Sequence, residues 1–178
     1  MRKEPVSMGE TGTRAGEWLA WALSKVEADH GAVHLLFPQA ERRGGTGARR
    51  ALLGALHADE ATIRTLYERG DTGERLTILA ALPELGLGAA AVPLVEDALR
   101  TNDARLVTAA LGPYGARWLD DHAFRQGVLK CVFMGIPLAS VSGLDRRTDA
   151  ELTRMLSDYA TERRAAGRPV PHDILERI

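Results

Sequence analysis

The stretch DDHAFRQGVLKCVFMG, residues 120–135, holds the densest group of reactive side chains in the chain. His122, Gln126 and Lys130 follow one another at steps of four, beside the only cysteine, Cys131. On a helix, residues four apart lie about 40° apart around the axis and one turn along. The three therefore form one polar line next to an apolar stripe of Phe124, Val128, Leu129, Val132 and Phe133. Facing a cavity, that line would offer Lys130 as a cation for an anionic ligand, or as a desolvated amine able to act as a base. Facing water, it would be the solvated edge of a packed helix. Cys131 points about 100° away from Lys130. A single cysteine among Val, Leu and Phe reads as an inert core residue.

A second hint lies in TDAELTRMLSDYATERRAAG, residues 148–167. Leu152, Met155, Leu156, Tyr159 and Ala160 make its apolar stripe. Arg163, one turn beyond Tyr159, extends it. A buried arginine requires a partner, and Asp145, Asp120 or Asp121 is expected to supply it. The functional alternative is an anion site built from Arg163, Lys130 and Arg146.

Other constellations are weak. His30 and His34 are four apart, but Gly31 interrupts the helix between them, so no metal site is expected. The segments GETGTRAG and GGTGARR lack the lysine and the preceding strand of a phosphate loop. They read as leader and linker, although Arg42, Arg43, Arg49 and Arg50 could meet an anion. No complete catalytic motif and no cofactor motif is present.

These side chains need elements to hold them. The 178 residues favour one domain. Leucine and alanine fill most of the apolar positions, and both are strong helix formers, so an all-α protein is expected. The net charge of −1 argues against a nucleic-acid footprint. Arginine outnumbers lysine 20 to 3, which makes each lysine conspicuous. One cysteine implies no internal disulfide. No apolar run reaches the ~18 residues of a membrane span. Residues 1–13 read as a polar, disordered leader without the apolar core of a signal peptide. A cytoplasmic location is expected.

Residues 14–178 read as a single helical-repeat domain with a flexible break near 44–47. Arg75-Leu76 followed by Ala80-Ala81-Leu82 is echoed by Arg105-Leu106 followed by Ala109-Ala110-Leu111. Asp71 and Asp103 are each expected to open a helix pair. The stretch AVPLVEDALRTNDARLVTAALG resembles a HEAT-type repeat, so a HEAT-like, α-solenoid-like stack of antiparallel helix pairs is expected. Thr148 with Glu151 suggests a capping box for the last long helix, and Gly167 a stop.

The string from TND (101–103) through GPYGARWLDDHAFRQGVLKCVFMGIPL to GLDRRTDAELTRMLSDYATERRAAGRPVP resembles the EboA family. The likeness is densest over residues 100–171. It rests on Asn102-Asp103, Pro113-Tyr114, Gln126, Leu129-Lys130, Gly143-Leu144-Asp145, Arg147, Tyr159-Ala160 and Glu162-Arg163, among others. The resemblance implies an operon that makes or exports secondary metabolites. Neighbouring products there are similar to a prenyltransferase and a sugar-phosphate cyclase. Within that setting, the HEAT-like pattern and the lack of a complete catalytic motif lead to the expectation of a non-catalytic accessory protein that binds one of those partners or an anionic or prenylated metabolite. The alternative is an enzyme acting on a phosphorylated cyclitol or prenylated intermediate, with Lys130, His122 and Tyr114 as its acid-base or anion-binding groups. The candidate ligand residues are Asn102, Tyr114, His122, Gln126, Lys130, Asp145, Arg146 and Arg163.

Overall fold

A computed structural model of the chain describes residues 8–178, with side chains from residue 12. The protein is all-α; no strand occurs among the described residues. Two compact units divide the chain, Met1–Leu87 and Gly88–Ile178.

The first unit holds α1 (Met8–Ala28), α2 (Val33–Leu36), α3 (Ala40–Gly44), α4 (Ala48–Gly54), α5 (Glu60–Arg69) and α6 (Thr72–Ala81). The first helix starts at Met8, before the expected residue 14; residues 1–7 of the expected leader lie outside the described residues. Pro38 lies in a 3-10 turn, Phe37–Gln39, between α2 and α3. The glycine-rich stretch is a tight turn between α3 and α4, with Gly45 and Gly47 at φ of 81° and 86°, where a side chain would be strained. Of the arginines near it, Arg49 donates to the Phe37 and Pro38 carbonyls, each at 3.2 Å, and approaches Glu74 at 3.4 Å. Arg50 pairs with Glu84. Val26, Leu52, Leu53, Leu56, Ile63 and Ile78 are fully buried in this unit.

The second unit holds α7 (Val92–Arg100), α8 (Ala104–Ala110), α9 (Pro113–Trp118), α10 (Asp121–Met134), α11 (Leu144–Arg147), α12 (Ala150–Ala165) and α13 (His172–Leu175). Pro93 sits in the first turn of α7, where its missing N–H costs nothing. The polar line on residues 122–130 is thus carried by α10, which packs on α8 and α12. Leu111, Phe124, Val128, Cys131, Leu152, Leu156 and Ala160 form the core between them. Each large apolar side chain buried this way contributes about 1.5–3 kcal/mol.

Aspartates set where helices begin. Asp59, Asp71, Asp103, Asp120 and Asp149 each accept a backbone amide at a helix start. Asp71 and Asp103 cap the second helix of the pairs α5/α6 and α7/α8, rather than opening the pair. The start of α12 differs from expectation too. Asp149 Oδ1 accepts the Leu152 amide at 2.8 Å, whereas the Thr148 hydroxyl donates back to the Leu144 carbonyl. Aspartate's stronger acceptor wins the capping position. Glycines set two ends. Arg168 N donates to Arg163 O, and Gly167 N to Arg164 O, with Gly167 at φ 67°. This is the Schellman closure. Gly135 ends α10 in the same manner.

Arg147 ties α9, α10 and α11 together. Its guanidinium lies 4.1 Å from the centre of the Phe124 ring, donates to the Ala116 carbonyl at 3.3 Å, and pairs with Asp121 at 2.8 Å. Phe133, expected on the buried stripe, is instead 64% exposed and meets Tyr159 edge-on at 5.2 Å. Its position one residue beyond Val132 rotates it off the α8-facing side of the helix.

Candidate functional site

The groove between α7 and α10 is where polar side chains gather. On α7, Glu96, Leu99 and Arg100 lie at i, i+3 and i+4 and so share a face. On α10, His122, Ala123, Gln126, Gly127 and Lys130 share another. The space between has a volume of about 550 Å³, within the range of small-molecule sites.

Gly127 shapes this groove. It is buried, and a Cβ there would stand 2.9 Å from Leu111 Cδ2 and 3.4 Å from Leu99 Cδ2. Lacking a side chain, it lets α10 approach both α7 and α8. Leu99, Ala123 and Gly127 therefore give the groove an apolar floor, and charged and amide groups line the rest.

Four of those groups have no partner among the described residues: Glu96, His122, Gln126 and Lys130 make no side-chain hydrogen bond or ion pair. Arg100 donates to Asp97 Oδ1 at 3.1 Å. Lys130 and Glu96 are half-buried, and His122 and Gln126 are exposed at the lip. A half-buried ammonium and carboxylate without partners keep their full hydrogen-bonding capacity for something that enters.

The other expected residues lie elsewhere. Tyr114 is buried; its hydroxyl donates to the Gly88 carbonyl at 2.5 Å and accepts the Ala91 amide at 3.1 Å. It staples α9 to the turn before α7, and burial pushes its phenol above the ordinary range. Asn102 is exposed in the turn between α7 and α8, outside the groove. Asp145 is exposed and pairs with Arg177 at 2.8 Å, and Arg146 is exposed on α11.

Arg163 has neither the aspartate partner nor the pocket expected for it. Its Nε donates to the Pro169 carbonyl at 2.7 Å, its Nη1 to the Tyr159 hydroxyl at 3.3 Å, and its guanidinium sits 5.7 Å from the Tyr159 ring centre. The three candidate carboxylates are engaged elsewhere: Asp145 with Arg177, Asp121 with Arg147, and Asp120 at the α10 N-cap. Lys130 lines the α7/α10 groove and Arg163 does not. The turn that reverses the chain after Gly167 brings the Pro169 carbonyl to the guanidinium, and no carboxylate is needed.

Cys131 is fully buried, and burial alone pushes its thiol up to about 11, so it holds no thiolate at neutral pH. No group of three or more His, Cys, Asp and Glu suited to a metal occurs among the described residues. Sequence reading finds His122, Gln126 and Lys130 but misses Glu96 and Arg100. The i, i+3, i+4 spacing of Glu96, Leu99 and Arg100 was the available signal, yet nothing in it says which helix this face meets.

Fold and groove define the class as an all-α protein with a polar, ligand-sized groove in its C-terminal unit. The chain belongs to the EboA family: the family model, described as metabolite traffic protein EboA, matches residues 43–178. Comparisons with curated proteins and with solved structures gave no match. No helix among the described residues is long and apolar enough to cross a membrane.

Proposed function

We propose that this protein is a non-catalytic, HEAT-like accessory protein of an ebo-type secondary-metabolite pathway. It acts in the cytoplasm beside the prenyltransferase-like and sugar-phosphate-cyclase-like products of the same operon. In this reading the α7/α10 groove binds an anionic or prenylated metabolite, and Lys130 meets the anionic group.

The observation that carries the reading is the convergence of four unpartnered polar side chains, Glu96, His122, Gln126 and Lys130, on one groove. Surface ion pairs are abundant elsewhere in this arginine-rich chain, so a lysine left unpaired on a half-buried wall stands out. The committed Tyr114 hydroxyl and the inert Cys131 thiol also favour binding over chemistry.

A thermal-shift series tests it, with alkyl phosphates, prenyl phosphates and sugar phosphates on the wild type and on Lys130→Ala. A stabilisation by one of these compounds that Lys130→Ala abolishes supports the reading. A wild type that responds to none, or a response that Lys130→Ala leaves intact, overturns it.

A further inference from the structure

We infer that the α7/α10 groove selects a ligand with one anionic group and hydrogen-bond donors such as hydroxyls, and turns away polyanions. The inference rests on the reading of this groove as a metabolite site and names the class of ligand.

Three formally charged side chains line the groove: Glu96, Arg100 and Lys130. Arg100 is exposed and donates to Asp97, whereas Lys130 is half-buried and has no partner among the described residues. A plain anion site would carry free donors on both walls. Here the opposing wall carries Glu96, a carboxylate with no partner of its own. A carboxylate is acceptor-only when ionised, so it favours a ligand that donates.

Glu96 acts on ligands in two opposite ways. A hydroxyl or amine reaching it completes its hydrogen bonding as the anion meets Lys130. A diphosphate brings several negative charges into the same half-buried space, where repulsion is weakly screened. Gln126, with both a donor and an acceptor, suits a hydroxylated ligand on the α10 side. The floor of Leu99, Ala123 and Gly127 offers an apolar surface to the flat or aliphatic part of such a molecule. His122 and Lys130 stand two turns apart on α10, about 12 Å, which a hexose-sized or somewhat larger molecule can span.

Calorimetric titration with three probes tests the inference. Glucose 6-phosphate carries one phosphate and several hydroxyls, octyl phosphate the same head without hydroxyls, and pyrophosphate the extra charge. The wild type is expected to bind glucose 6-phosphate at least tenfold more tightly than pyrophosphate. Glu96→Gln is expected to shrink that ratio at least fivefold, and Lys130→Ala to lose both. Glu96 and Lys130 make no side-chain hydrogen bond or ion pair among the described residues, and matched circular dichroism and melting curves verify that both variants fold. Pyrophosphate binding as tightly as glucose 6-phosphate, or a ratio unmoved by Glu96→Gln, overturns the inference. Binding of octyl phosphate alone, lost in Lys130→Ala, overturns it while sustaining the metabolite-site reading. Binding of none of the three overturns it, and with no response to the wider phosphate series the reading falls too.

Discussion

Lys130 and Glu96 line one groove from different helices, α10 and α7, and neither has an ion-pair or hydrogen-bond partner among the described residues. Between them α10 carries Gly127, whose missing side chain lets Leu111 and Leu99 fill the space beneath. Elsewhere in the same unit arginines find carboxylates or carbonyls at close range, as Arg147 and Arg163 do.

Tyr114 is predicted to be structural. Tyr114→Phe deletes the acceptor of the buried Ala91 amide and the donor to the Gly88 carbonyl. Leaving such groups unmet costs about 1–3 kcal/mol. Urea unfolding should show that loss, while any ligand response of the groove stays unchanged. A lost ligand response in a folded Tyr114→Phe protein would restore the tyrosine to the site.

Gly115 is predicted to be intolerant of any side chain. A Cβ at this position would stand 1.9 Å from the Ala110 carbonyl oxygen, a backbone atom that cannot swing aside. Alanine's better helix propensity is worth only ~1 kcal/mol. The displacement of α9 from α8 should cost about 3 kcal/mol, the upper range for overpacking a core. The melting temperature of Gly115→Ala measures it directly.

Acid should weaken the α7/α8 pair through Asp103. The Arg105 guanidinium, helped by the Arg105 and Leu106 amides, holds the Asp103 carboxyl at about 2. The unfolded chain's aspartate titrates at about 3.9. Folded protein therefore binds fewer protons here, and the contribution is full above about pH 4 and fades as pH falls toward about 2. Asp103→Asn, still a competent N-cap, should flatten the urea midpoint profile over that window. Part of the slope will survive, because Asp59 and Asp149 are also held below the ordinary carboxylate range, by His30 with Thr62 and by the Leu152 amide with Arg125.

Cys131 should be silent in the native protein. Burial both shields its sulfur and, by raising its pKa to about 11, removes the reactive thiolate. With a disulfide reagent at pH 8, labelling of folded protein should run at least ~100-fold slower than in denaturant. Rapid native labelling would show that α10 opens far more readily than its packing allows.

Much of the local structure was written in the sequence. The aspartates at 71 and 103 mark helix starts because a short carboxylate meets free amides within the next turn without help from the rest of the fold. Gly167 marks an end because the closing turn needs a positive φ. The all-α class follows from leucine and alanine at helical spacing, and the polar line of His122, Gln126 and Lys130 from a period of four. These are interactions within about one turn of chain, so they are legible one segment at a time.

Tertiary structure alone decided what those faces meet. Nothing in VPLVEDALR says that Glu96 will line a groove with Lys130, since that depends on how the helices around Gly127 pack. Arg163 extends an apolar stripe in the sequence, yet the turn after Gly167 delivers the Pro169 carbonyl to it in place of an aspartate. Tyr114 reads as a candidate ligand residue in the sequence, whereas in the folded chain its hydroxyl staples a turn 26 residues away. Helical periodicity fixes direction around one axis. The pairing of faces from separate helices is set by side-chain volumes across the interface, and those become comparable only once the chain has folded.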